Sequence, residues 1–513
     1  MTPESLAREV ETFLSCASAV VVEDGDVIFD LAQSKYSVSG EQHKCLLHIW
    51  SAERNVVRRV LDAEVKNEVL RLQVQRLGQV RPTKLEICRN RDWRTPTAKR
   101  VARLGYQRLL HRVLLRRFPG HTVSQLTTST DLKHSFGPIY TRGLLHRGQT
   151  AFAVLGVNAQ ETQSSIDAAL TFGILWLDYC RQFRAGRLVV EGLKLFLPEG
   201  GSAVTSERIA QLNPEAAKWQ LYEIKERDVE LKEVDIADRG NIATRLIHAA
   251  DQDATRERFA DSITQVHHLM PEAEVAMLSA GEIGFRRHGL EFARARLAVN
   301  PVSFRNSTEI VFGIGGAERV LSESTISTFT ALVNSIGEVR HKEGPHDHPL
   351  WRMHPERWLE SLAVLDLAAI DLQLGDGTQY SQVPAFSASD RAMIDILTTT
   401  KEGRLAVVEL KADEDIHLPL QGLDYWARVK WHHTRGDFPK FGYFSNAELS
   451  DRDPFLFLVA PALRIHPATD TLLHYFSKKI DWVLVGIDER WRNKLKPVFK
   501  KRSRSIASGR EVA

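Results

Sequence analysis

What this sequence of 513 residues has little of already narrows its class. Its four cysteines, Cys16, Cys45, Cys88 and Cys180, stand at no paired spacing. That excludes a Cys-based zinc motif and suits a reducing, cytoplasmic setting. No uninterrupted apolar run is long enough to span a bilayer, so no membrane partner is expected. The opening stretch Met1 to Val10 carries early acids and lacks an apolar core segment, which argues against a signal peptide. A net charge of +3 neither demands nor excludes nucleic acid, so the placement of charge matters more than its sum. There is no helicase or ATPase motif. Gly313-Ile-Gly-Gly has the glycines of a phosphate loop without its Lys-Ser/Thr ending, and reads as a hairpin turn. His346 and His348 lack a second spaced pair, so the loop from His341 to Pro349 reads as a linker between domains rather than a metal site.

What is there is a soluble globular composition and a length that implies about three or four folding units. Residues 1–92 read as a β-rich N-terminal domain: Ala19-Val-Val-Val, Val27-Ile-Phe-Asp, Cys45 to Trp50, Val69 to Val74 and Lys84 to Cys88 are short apolar runs, some separated by turn residues such as Asp24-Gly25. Lys35, Lys44, Arg54, Arg58 and Arg59 make it basic. Residues 93–245 read as an α/β domain. It opens with an amphipathic helix whose apolar positions are Val101, Leu104, Leu109, Leu110, Val113 and Leu114. The polar face of that helix carries Lys99, Arg100, Arg103, Arg108, Arg112, Arg116 and Arg117 and no acid. An unmixed basic face suits phosphate contact, since each neutralised phosphate releases counterions, and Arg103, Arg108 and Arg112 are the candidate nucleic-acid contacts. Residues 246–350 read as a small α+β connecting domain, with helices at Ala254 to His268 and Ser324 to Ile336. Its strand-like runs are Glu282 to Arg296 and Glu309 to Gly315.

Residues 351–513 carry the chemistry. Leu405-Ala-Val-Val-Glu-Leu-Lys-Ala is a β-branched apolar run broken only by Glu409 and Lys411, as in a strand buried on both faces. Side chains alternate on a strand, so Glu409 and Lys411 project from one face. Burying both is costly unless they are paired or hold something. Asp395 lies on an earlier apolar segment, and the turn-like Lys401-Glu-Gly-Arg makes a hairpin that brings it alongside Glu409. Pro419 suits the first turn of a following helix, on which Gln421 and Tyr425 fall four apart on one face. Upstream, His354-Pro-Glu-Arg-Trp-Leu-Glu360 opens another amphipathic helix. The chain closes on Lys494-Leu-Lys-Pro-Val-Phe-Lys-Lys-Arg-Ser-Arg, a basic tail of the kind that is usually disordered and binds nucleic acid nonspecifically.

These residues resemble the PD-(D/E)XK nuclease superfamily, with Asp395 as the first acid and Glu409-Leu-Lys411 as the E-x-K element. Gln421-x-x-x-Tyr425 is similar to the motif of its RecB-type and NucS-type members. Ile394 stands where the family usually has proline. The resemblance covers about the last third of the chain and implies a restriction-endonuclease-like α/β core. It further implies Mg²⁺ (or Mn²⁺) held by Asp395, Glu409, Glu360 and the Leu410 carbonyl, with Glu356 as the alternative to Glu360. Lys411 would position or activate water, and Gln421 and Tyr425 would orient the site. The implied activity is DNA phosphodiester hydrolysis by an endonuclease in repair, restriction or phage defence, acting as a homodimer or with a partner protein. RNA is the other substrate, and a non-catalytic nucleic-acid-binding or sensing protein is the other class.

The element order of residues 97–228 repeats that of the last domain, which predicts a degenerate second copy of the same fold. Ala153-Val-Leu-Gly-Val lies where Val407-Val-Glu-Leu-Lys lies. Leu175-Trp-Leu-Asp-Tyr-Cys-Arg is set against Gly422-Leu-Asp-Tyr-Trp-Ala-Arg, and Trp219-Gln-Leu-Tyr-Glu-Ile-Lys against Trp482-Val-Leu-Val-Gly-Ile-Asp. Leu155 and Val157 replace the acid and the lysine, and Ile139 to Leu145 supplies no carboxylate in place of Asp395.

Overall fold

Gly403, at φ +73°, closes the turn after Lys401 and Glu402 and returns strand Arg391–Thr399 into strand Leu405–Leu410. Every residue of the second strand is buried, as the unbroken apolar run requires. It is third in a six-stranded sheet ordered Tyr380–Phe386, Arg391–Thr399, Leu405–Leu410, Phe455–Pro461, Trp482–Ile487, Pro497–Arg502. Each of the first three strands is antiparallel to the next, the third to fifth are parallel, and the sixth is antiparallel to the fifth. Parallel neighbours need crossovers, which helices Leu418–Thr434 and Thr469–His474 supply. Ala406, Val408 and Leu410 pack with Trp358 and Leu359 of helix Pro355–Leu365. Leu405 and Val407 pack on the other side with Leu423 and Trp426 of helix Leu418–Thr434. By alternation Glu409 belongs to that second side.

The structure is a computed structural model that describes residues 3–14, 19–23, 26–31, 35–40, 44–50, 55–66, 69–76, 82–88, 96–184, 186–226, 229–237, 244–299, 306–315, 318–375, 377–386 and 391–503. These residues form a mixed α/β structure with four sheets. The N-terminal sheet has seven antiparallel strands between Val20 and Cys88, covered by helix Pro3–Leu14 through Leu6, Val10 and Leu14. Two of its strands, Lys35–Ser39 and Asn55–Lys66, were not foreseen: the first is short, with only Tyr36 and Val38 as apolar residues, and in the second charged residues mask the alternation. Arg58, expected on a basic surface, is instead buried, its guanidinium donating to Glu23 at 2.8 and 2.9 Å. Arg54 and Cys16 lie outside the described residues, while Cys45, Cys88 and Cys180 are free thiols in the core.

The connecting segment forms a five-stranded antiparallel sheet, with helices Ala260–Leu269 and Ile326–Val339 packed on it. The run Glu282 to Arg296, read as one strand, is a hairpin of Glu282–Arg287 and Leu290–Val299. Its turn is made by His288 and Gly289, both at positive φ. Strands Asn306–Phe312 and Arg319–Val320 pair antiparallel around the Gly313 turn, of which Gly316 lies outside the described residues. His348 caps helix Pro349–Arg352, accepting from the Leu350 amide, and His346 stacks on Trp351.

Residues 122–234 form the remaining sheet, ordered Thr122–Thr127, Thr141–Arg147, Thr150–Gly156, Val189–Pro198, Lys218–Lys225, Glu230–Val234. Its senses run antiparallel, antiparallel, parallel, parallel, antiparallel, the same succession as in the last sheet. One continuous apolar core joins the two, with Leu170, Ile174, Leu193 and Trp219 of the first and Leu423, Leu458, Leu472 and Tyr475 of the second. The basic helix Pro96–Arg117 packs on the outer face of the first through Tyr106, Leu110, Val113 and Leu114. Leu104, placed on its apolar face from sequence, is 38% exposed, and Tyr106 takes that role.

The basic tail is corrected. Pro497–Arg502 is the edge strand of the last sheet, and Lys500 and Arg502 both reach the buried Asp371 carboxylate, at 3.0 and 2.7 Å. Alternating side chains with lysines outward are what an exposed edge strand carries, and in sequence they read as a solvated tail.

Candidate active site

The hairpin register pairs Ile396 with Val408, and continued by one place it sets Asp395 across from Glu409. Residues directly opposite on antiparallel strands share a face, so the two carboxylates meet. Asp395 Oδ2 accepts from the Leu410 amide at 2.9 Å, which locks it at the strand's end. Glu409 is 2% exposed, and its Oε2 has no hydrogen-bond partner. Burial, and then the Asp395 charge, push its carboxyl well above the usual carboxylate range. Asp395 is raised by its own burial, with Lys411 and Arg357 pulling the other way.

Lys411 continues the central ladder, its amide donating to the Val459 carbonyl at 2.9 Å. Its ammonium lies 3.3 Å from Glu409 Oε1 and 3.9 Å from both Glu356 Oε1 and Asp415 Oδ2. Burial opposes its charge, but the carboxylates of Glu409, Glu356, Asp395 and Asp415 outweigh that and hold it protonated. On the other helix Glu360 is 4% exposed, and its Oε2 accepts from Arg357 at 2.9 Å and from Gln382 Nε2 at 2.6 Å. Its carboxyl is pushed up to about 7 by burial, with Arg357 lowering it and Asp395 raising it.

Helix Leu418–Thr434 starts with Pro419 in its first turn and carries Gln421 and Tyr425. Tyr425 feels Glu409 and Asp395, which add to its burial in holding the phenol protonated. The Gln421 amide oxygen is buried without a partner. The structure therefore gathers Asp395, Glu409, Lys411, Glu360 and Tyr425 around the open end of the central strand.

Sequence reasoning missed Gln382, Arg357 and Asp415. Gln382 lies on strand Tyr380–Phe386 in the left-handed region, at φ +56°, and no sequence signal marks it. Arg357 sits inside the His354–Glu360 motif already singled out, one helical turn before Glu360, and that spacing was the available signal. Asp415 lies in the loop between Lys411 and helix Leu418–Thr434, where no motif marks it.

Arg103 does not belong with the free cations. It is clasped by Glu161 at 2.6 and 3.2 Å, whereas Arg108 and Arg112 are exposed. No group of three His, Cys, Asp or Glu side chains among the described residues is spaced as a finished ion site. Asp395 and Glu409 are nevertheless a donor pair suited to a hard divalent cation: two buried oxygen ligands whose charges repel, one oxygen of them orphaned.

No family model and no curated protein matches the chain. Among solved structures, one described as "Structure of EndoMS-dsDNA2 complex" overlaps 44% of this chain and 95% of that one, at 12% identity and a TM-score of 0.15. An overlap at that score carries no argument about fold or function. Among the described residues no helix is long and apolar enough to cross a membrane.

Proposed function

We propose that the C-terminal α/β unit is a restriction-endonuclease-like domain that hydrolyses DNA phosphodiesters with Mg²⁺ or Mn²⁺. The reading rests on one observation: Asp395 and Glu409 are buried face to face, with Glu409 Oε2 unpartnered and the Lys411 ammonium 3.3 Å from Oε1. Asp395 and Glu409 would hold the cation, with Glu360 and the Leu410 carbonyl completing the set. A bound cation supplies a more acidic water and offsets charge on a phosphoryl oxygen. Lys411, fixed in its charged form, orients the attacking water and stabilises negative charge growing on the phosphate. Arg357 and Gln382 hold the Glu360 carboxylate in place, and Tyr425 closes the wall behind the acids. Arg108 and Arg112 offer phosphate contacts on a separate helix. Repair, restriction and phage defence all use such a reaction.

The test is purified protein with supercoiled plasmid and Mg²⁺ or Mn²⁺ against an EDTA control. Asp395→Ala, Glu409→Ala and Lys411→Ala are each expected to lower the rate roughly a thousandfold, several kcal/mol of barrier, while the protein stays folded. Cleavage at the wild-type rate by Glu409→Ala refutes the site. A second reading, a nucleic-acid-binding protein that keeps the fold without catalysis, is favoured by the charge balance. Lys411 is already surrounded by three carboxylates, and Glu360 is engaged by Arg357 and Gln382. Plasmid binding without cleavage in any divalent metal supports it.

A further inference from the structure

The two six-stranded sheets correspond in register through their central strands. Leu155 pairs with Leu195 as Glu409 pairs with Leu458, and Leu193 pairs with Trp219 as Leu456 pairs with Trp482. The Val157 amide donates to the Phe196 carbonyl at 3.1 Å, as that of Lys411 donates to Val459 at 2.9 Å. Leu155 and Val157 thus occupy the places of Glu409 and Lys411. Arg142, paired with Leu155, occupies the place of Asp395. The helix after each central strand presses a glycine on the next strand. A Cβ on Gly173 would meet Leu193 and Leu195 at 2.8 and 2.9 Å, and one on Gly422 would meet Leu458 and Leu456 at 2.5 and 3.2 Å.

The halves also meet crosswise. Helix Ala169–Tyr179 of the first packs on Thr469–His474 of the second, and Leu418–Thr434 of the second packs on Ala203–Ile209 of the first. At the centre, Leu212 bridges Phe476 across the junction. Glu215 and Lys478, which hold matching places before the tryptophan strands, form an ion pair with each other. Reciprocal exchange of this kind is the mark of a two-fold, isologous interface, here built within one chain.

One of the two centres is blank. In the first half the guanidinium of Arg142 is buried where a carboxylate would have to stand. It lies over the Phe136 ring at 4.8 Å and donates to the carbonyls of Ser129 and Gly137. Leu155 and Val157 offer no ligand and no cation.

We infer that the chain is a fused pseudo-dimer that nicks one strand of a duplex per encounter and does not break both together. The inference rests on the nuclease reading of the Asp395–Glu409 site. Two-fold pairs of hydrolytic centres address the two antiparallel strands at once, and here the face that would recruit a second live centre is already covered by the blank half. The net step adds one water across one phosphodiester: the water oxygen bonds phosphorus, one bond from phosphorus to a deoxyribose oxygen breaks, one proton ends on the released hydroxyl, and the other is lost from the new phosphate monoester to solvent.

The experiment follows supercoiled plasmid with the 513-residue chain and Mg²⁺ over time, beside the Glu409→Gln variant. The expected course is accumulation of open-circular DNA, with linear DNA appearing only after a lag, and loss of both products in the variant. Linear DNA formed without a lag, at the same initial rate as open circles, overturns the inference while leaving the nuclease reading intact. Nicking retained by Glu409→Gln also overturns it, since cutting would then not depend on the Asp395–Glu409 site. If the wild-type chain cuts nothing with Mg²⁺ or Mn²⁺, the nuclease reading and this inference fall together.

Discussion

The Arg208–Asp424 pair is the sharpest place to test the junction between the two halves. Arg208, on the short helix of the first half, donates to Asp424 Oδ1 at 2.9 Å and Oδ2 at 2.7 Å, and also to the Asp167 carbonyl. Arg208 is 8% exposed, so its charge is largely removed from water. Burial pulls the guanidinium pKa down, and the nearby carboxylates, Asp424 foremost with Asp167 and Glu207 behind it, more than restore it. Asp424→Ala leaves that cation buried with two donors unmet, at a cost of about 3–5 kcal/mol. The chain has several cooperative units, so a single melting temperature would blur the effect. Local opening read by amide hydrogen exchange does not. At tenfold per 1.4 kcal/mol, protection of helices Ala203–Ile209 and Leu418–Thr434 should fall roughly a hundredfold or more. The double variant Arg208→Met/Asp424→Leu removes both charges and should recover most of the loss, to within about 1 kcal/mol of wild type. A change below about 0.5 kcal/mol in Asp424→Ala, the size of an ordinary surface substitution, refutes the claim that this pair ties the halves. Because Asp424 sits beside Tyr425, any plasmid cleavage should weaken in the single variant and return in the double.

Arg108→Gln and Arg112→Gln should each flatten the salt dependence of DNA binding by roughly one unit of slope, whereas Arg103→Gln, already neutralised by Glu161, should leave the slope unchanged. His288 stacks on Trp358 at 4.9 Å, and burial, then Arg287, Arg340 and His341, lower its pKa to about 4. The unfolded chain therefore takes the proton first, so this contribution is intact above about pH 6.5 and is lost as pH falls toward 4; His288→Asn should flatten that part of a stability-against-pH curve measured by hydrogen exchange. Gly289, at φ +70°, leaves no room for a side chain, since a Cβ would stand 2.0 Å from the Arg357 carbonyl. Gly289→Ala should cost about 1–2 kcal/mol in backbone strain alone and, by shifting the helix that bears Arg357 and Glu360, lower cleavage; an unaltered rate and protection pattern would contradict that docking.

How much of this was legible in the sequence follows from which contacts are local. Glu409 and Lys411 could be found because two charges inside an unbroken apolar run have no bland place to go, and Asp395 because one short turn fixes its partner strand. The register then had little freedom, since a slip of one residue would turn every apolar side chain of the strand outward. Helices impose no such penalty. Matching Asp178-Tyr179 to Asp424-Tyr425 by eye preserves the apolar stripe, yet Gly173 and Gly422 are the residues that press on corresponding strands, which sets Trp176 at the place of Tyr425. The apparent match was slipped by three residues, close to one turn, and a slip of that size leaves each residue on nearly the same face. Arg142 and Gln382 were illegible for another reason: what each does is decided by residues distant in sequence, Leu155 on the adjacent strand for Arg142 and Glu360 on a helix for Gln382. The placement of Arg142 opposite Leu155 and the junction between the two sheets share that character. Both are products of pairing between distant segments, and they become readable only once two strands have been laid side by side and the residues opposite one another compared.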